Sequence, residues 1–96
     1  MSRYYPIQAE QFYTAIEPLI ISYKHPAGRP ATISNYKAFN GIFYILRTGI
    51  PWRDLPEVFG NWHTVYTRFK RWSDNGLLWH IIKTLHKNKC AVFDMA

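Results

Sequence analysis

The chain has 96 residues, enough for one small domain and not for two. Twelve Lys and Arg stand against six Asp and Glu, and the net charge of +6 favours a polyanionic partner, either nucleic acid or an anionic membrane surface. One cysteine, Cys90, excludes an intrachain disulfide framework, no apolar run approaches the ~18 residues of a membrane span, and the N-terminal MSRYYPIQAEQF lacks the apolar centre of a signal peptide.

A cytoplasmic, nucleoid-associated location is therefore the expectation. At this length folding buries roughly 60–70% of the unfolded surface, so stability is modest. Aromatic residues make up 18% of the chain and must carry much of the core; 48% hydrophobic residues exclude compositional disorder.

Along residues 8–23, Phe12, Ile16, Leu19, Ile20 and Tyr23 recur at the spacing of an amphipathic helix. Pro18 interrupts it, because proline removes a helical hydrogen bond and disfavours helical geometry at Glu17, so a kink or a restart is expected. Residues 24–34, KHPAGRPATIS, form a loop by their prolines, glycine and cations. It is either a solvated connector or an arm touching phosphates or a minor groove with Lys24 and Arg29.

Ser34 suits the cap of a helix over Asn35–Thr48, with Gly49 at its end. Phe39, Ile42, Phe43, Ile45 and Leu46 make that helix apolar on more than one side, which marks it as the central one. Gly41 within it costs up to ~1 kcal/mol relative to Ala, and a close helix crossing would explain it. A short helix from about Trp52 or Arg53 to Phe59 carries Leu55, Val58 and Phe59 and is broken by Gly60-Asn61. A longer helix spans 63–74 and stops at Asn75-Gly76. The last helix, Leu77 to about Lys87, turns Leu78, Ile81, Ile82 and Leu85 to the core, with Trp79 to one side. No strand is expected, and the fold class is all-α: a small bundle of four to five helices containing a helix-turn-helix.

The stretch 49–72, GIPWRDLPEVFGNWHTVYTRFKRW, concentrates three tryptophans and four cations around the Gly-Asn break. On a helical wheel of 63–74, Val65, Phe69 and Trp72 share one face. His63, Thr67, Lys70, Arg71 and Asp74 share the opposite one; Thr64 sits at its edge and Arg68 flanks the apolar stripe. A helix anchored by bulky groups on one side and showing hydroxyls and cations on the other is what a recognition helix requires. Its N-terminal residues reach base edges, Arg pairs bidentately with guanine, and Lys neutralises phosphates. Base contacts are thus expected from His63, Thr64, Thr67 and Arg71. Phosphate contacts are expected from Arg53, Arg68 and Lys70, with Lys24, Arg29 and Lys37 as further candidates. A polar face that meets only water would look the same, as would one that meets RNA. Trp52, Trp62 and Trp72 are either core residues or stacking platforms for bases. His80, His86 and Cys90 lack a convincing fourth ligand, and no metal site is expected.

The sequence resembles the N-terminal domain of DDE transposases of bacterial insertion sequences, the insertion-sequence-five group. The resemblance is carried by Arg-Thr-Gly at 47–49, Pro-Trp-Arg-Asp-Leu-Pro at 51–56, Phe-Gly at 59–60, Trp-x-Thr-Val-Tyr at 62–66, Arg-Phe-x-Arg-Trp at 68–72 and the Gly-Leu/Trp helix from Gly76. Ile16-Glu17-Pro18-Leu19 and Gly28-Arg29-Pro30 extend it upstream. It implies a helical domain, 1–90, that binds double-stranded DNA at the terminal inverted repeats of the element. It also implies that full-length relatives continue into a catalytic domain whose three acidic residues hold two divalent ions such as magnesium. Asp94, after Ala91-Val92-Phe93, falls where such relatives carry the first acid. One carboxylate cannot build that site, so residues 91–96 are expected to be the start of a truncated catalytic domain, Asp94 a vestige, and the chain neither an enzyme nor in need of a cofactor. A decayed copy and the upstream frame of a frameshifted element both fit. So does a non-catalytic module that inhibits by pairing with full-length transposase.

Overall fold

The helix over Asn35–Thr48, α3, is the centre of the molecule: every residue from 38 to 43 is buried, as is Ile45. The structure is a computed structural model that describes residues 4, 5, 7–23 and 33–87. α3 begins and ends as its sequence requires. The Ser34 hydroxyl accepts a hydrogen bond from the Lys37 amide at 3.1 Å, and Gly49 closes the helix in the left-handed conformation at φ 74°.

Around α3 lie α1 (Ala9–Ala15), α2 (Glu17–Ser22), two 3-10 turns (Trp52–Asp54 and Glu57–Phe59), α4 (Trp62–Asp74) and α5 (Leu77–Lys87). Among the described residues there is no strand, and the all-α expectation holds. The chain breaks between α1 and α2 and restarts with Pro18 in the first turn of α2, where a missing N–H costs nothing.

The short helix expected before the Gly-Asn break is not one α-helix. Pro56 pushes Leu55 to an extended ψ of 126° and splits the segment into the two 3-10 turns. Leu55 and Phe59 still reach the core, whereas Val58 is exposed. In place of the expected first helix of a helix-turn-helix, two 3-10 turns and a break precede α4, an order compatible with that motif.

Phe59 is wholly buried under three tyrosine rings. Tyr4, Tyr5 and Tyr44 stand 5.7, 5.5 and 5.3 Å from it, centroid to centroid. The Tyr5 hydroxyl donates to the Val58 carbonyl at 3.1 Å, and Tyr36 donates to the Ile7 carbonyl at 2.6 Å. The polar ends of Tyr5 and Tyr36 are thus satisfied while their rings pack against the core.

α3 and α4 cross at Gly41. A Cβ at that position would lie 3.1 Å from Phe59 Cβ and 3.1 Å from Val65 Cγ1. Both neighbours are fully buried and have little room to retreat. Gly41→Ala should therefore destabilise the protein by about 1–2 kcal/mol, although alanine is the better helix former by up to ~1 kcal/mol. Urea unfolding followed by circular dichroism checks this; an unchanged or raised midpoint would show that the crossing can open.

Candidate nucleic-acid interface

α4 starts where Asn61 caps it, its side-chain oxygen accepting from the His63 amide at 2.8 Å. Val65 and Trp72 anchor the helix in the core, at 0% and 3% exposure. A second row, Trp62, Tyr66 and Phe69, is half-buried and lies beside the first 3-10 turn. There Trp52 packs 5.3 Å from the Tyr66 ring and 5.3 Å from the Phe69 ring. Phe69 thus belongs to this aromatic row rather than to the fully buried stripe. Trp72 is core, and Trp52 and Trp62 are half-buried members of the ridge. Tyr66 was missed by the sequence reading, although Trp62, Tyr66 and Phe69 carry the i, i+4, i+7 signal that finds such rows.

With those two rows fixed inward, His63, Thr67, Lys70, Arg71 and Asp74 are exposed along one arc of α4. Thr64 is half-buried at its edge. The His63 and Trp62 rings stand nearly perpendicular, with centroids 5.4 Å apart. The Thr67 hydroxyl donates to the His63 carbonyl at 2.9 Å, so its outward lone pairs are left to accept. Arg53 is exposed on the first 3-10 turn, which packs against α4. Lys37 lies in the first turn of α3 and is half-buried. Lys24, Arg29, Cys90 and Asp94 lie outside the described residues.

Arg68, one of the expected phosphate contacts, departs from the arc. It is only 7% exposed. Nη1 donates to Asn35 Oδ1 at 2.7 Å and Nη2 to the Ile33 carbonyl at 3.3 Å, while Asn35 Nδ2 donates to Glu17 Oε1 at 3.2 Å. The guanidinium therefore ties α4 to the start of α3 and, through Asn35, to α2. Burial lowers the Arg68 pKa from its ordinary value; Arg71 nearby adds to the fall and Glu17 opposes it. An Arg stem covers apolar surface as its head finds partners, so one that flanks an apolar stripe can turn inward. Beside Arg68 and Arg71 opens a cleft of about 340 Å³, walled by Ile20, Tyr23, Trp72 and Leu77.

Among the described residues no three His, Cys, Asp or Glu stand together as metal ligands would, and no helix is long and apolar enough to cross a membrane.

These features define a class: an all-helical unit that holds one helix by an aromatic core and presents its cationic, hydroxyl-bearing arc outward. The family follows from comparison. Residues 9–82 match the family model described as "Putative transposase of IS4/5 family (DUF4096)", and the chain belongs to that family. It is 35% identical over 79 residues to the "Insertion element IS402 uncharacterized 16.2 kDa protein" of Burkholderia cepacia, covering 75% of this chain and 52% of that one. It is 32% identical over 59 residues to the "Uncharacterized protein y4sN" of Sinorhizobium fredii (strain NBRC 101917 / NGR234), covering 60% of this chain and 47% of that one. The chain thus spans about half the length of these curated relatives. No solved structure matches it significantly.

Arg68→Ala should cost about 2–4 kcal/mol of stability, because it strips a part-buried network of its buried cation and leaves Asn35 Oδ1 without its donor. Arg71→Ala, on an exposed side chain, should change stability by less than about 0.5 kcal/mol. Thermal unfolding of both variants checks the contrast; equal effects would mean that Arg68 is not held inside.

Proposed function

We propose that the chain binds double-stranded DNA through the outward arc of α4, reading the terminal inverted repeats of an insertion sequence as the DNA-recognition part of a transposase. One observation carries the reading: His63, Thr67, Lys70 and Arg71 are exposed together on a helix that is fixed from behind by Val65 and Trp72. Membership of a transposase family agrees with it.

In this reading the first turns of α4 enter the major groove. His63 and Thr67 meet base edges, with Thr64 at the margin. Thr67 acts as an acceptor, since its proton is already given to the His63 carbonyl. Arg71 pairs bidentately with a guanine. Lys70 and Arg53 neutralise phosphates, assisted by Lys37 and by Lys24 and Arg29 of the 24–34 segment. Arg68 makes no contact with DNA and serves by holding the helix in place. In this reading the described helices supply recognition, and strand cleavage is the work of other parts of a transposase.

Fluorescence anisotropy on the element's terminal repeat and on a scrambled duplex, at several salt concentrations, tests the reading. The repeat should bind more tightly, and log K should fall with log salt by about 0.9 per phosphate contacted. Arg71→Ala should weaken binding to the repeat by roughly 1–3 kcal/mol and leave the scrambled duplex little changed. Lys70→Ala should weaken both and reduce the salt slope by about one phosphate. Equal, weak binding to both duplexes would leave only a generic basic surface.

A further inference from the structure

Among the described residues, the outer side of α5 carries apolar surface that the bundle covers only in part, with Ile82 half-buried against the core. Leu77, Ile81 and Leu85 fill the core, but Trp79 is 64% exposed. Trp79, Ile82 and His86 follow one another at i, i+3 and i+7, along one side of the helix. Lys83 and Lys87 run beside them, and together they line a groove of about 670 Å³ whose surface is mostly apolar. Among the described residues the other exposed large apolar side chains, Tyr13, Ile21, Leu46 and Val58, are scattered singly over other elements.

Charge limits what can cover this face. From residue 75 to residue 93 the sequence holds no Asp or Glu. A second copy docked through the same face would set Lys83 and Lys87 against their own kind, with no carboxylate on α5 to answer them. A DNA duplex would satisfy the lysines but would bury Trp79 and Ile82 against a charged, hydrated backbone. An amphipathic helix with an apolar stripe flanked by carboxylates satisfies both halves of the surface. We infer that the outer face of α5, centred on Trp79 and Ile82 and bordered by Lys83 and Lys87, is a docking site for an acidic amphipathic helix of a protein partner.

The site lies on a different helix from the proposed DNA-reading arc, and its test is separable from the DNA measurement. The probe is a fluorescent synthetic peptide of about 14 residues, roughly four helical turns, with leucines at helical spacing flanked by glutamates. A twin carries lysine at every glutamate position. The acidic peptide should bind the full chain with a Kd in the micromolar range, and the twin at least about tenfold more weakly. Trp79→Ala should weaken the acidic peptide at least about tenfold, as loss of a central tryptophan anchor does. Lys83→Glu with Lys87→Glu should reverse the preference between the two peptides. Because Trp79 is exposed, its replacement leaves the core intact, and circular dichroism of the variant confirms the fold. Failure of the acidic peptide to bind below about 1 mM, or equal binding of both peptides, overturns the inference. So does a concentration-dependent dimer of the chain that Trp79→Ala dissolves, since the occupant would then be a second copy. A loss of duplex affinity in Trp79→Ala as large as that in Arg71→Ala would assign the face to DNA instead.

Discussion

The close approach of α4 to α3 at Gly41 is the constraint from which the rest of the arrangement follows. With no side chain at that position, Phe59 and Val65 come within 3.1 Å of where a Cβ would be, and each is fully buried there. A helix seated at such a point has one rotation about its axis that keeps Val65 in place. That rotation also buries Trp72, two turns further on, and turns His63, Thr67, Lys70 and Arg71 outward. The orientation of the polar arc is therefore a result of packing at its back. The destabilising glycine in the middle of the central helix is offset by the contact it permits.

Arg68 acts on the same helix by a different means. Van der Waals contact at Gly41 sets rotation, whereas the guanidinium fixes the N-terminal end of α3 beside α4 through Asn35 and the Ile33 carbonyl. Glu17 is joined to the same asparagine from α2. Three helices that are distant in sequence thus share one part-buried polar chain. A charge in such a place is costly unless each of its bonds is made. The Tyr23 hydroxyl and His80 Nδ1, 2.8 Å apart, make a second polar tie, from the end of α2 to α5.

Much of this was legible in the sequence, and the exceptions have definite causes. Ser34 and Gly49 bracket α3 because caps are local: their chemistry needs only the residues beside them. Pro18 marks the α1–α2 break for the same reason. The exposed arc of α4 could be read because helical periodicity separates bulky from charged positions. Arg68 could not, since a charged residue at the border of an apolar stripe can turn either way, and its partners Asn35 and Ile33 lie more than thirty residues upstream. The split of the 52–59 segment is written in Pro56, whose effect on Leu55 is local, but the apolar spacing of Leu55, Val58 and Phe59 masks it. Whether the arc meets DNA depends on a partner molecule, and spacing alone gives only the chemistry on offer.

The first two helices are brief. α1 has seven residues and α2 six, and neither has a side-chain hydrogen bond at its N-terminal cap. Isolated helices shorter than ~12–15 residues are marginal in water. Their order depends on α3, where Phe12 lies 5.1 Å from Phe39 and 5.1 Å from Tyr36. During synthesis these segments leave the ribosome before the helix that holds them. The N-terminal part of the chain is thus made first and settles late: residues 9–22 must wait for residues 35–48. Amide exchange on chains halted at successive lengths would show this as protection that arrives in α1 and α2 only once α3 has emerged.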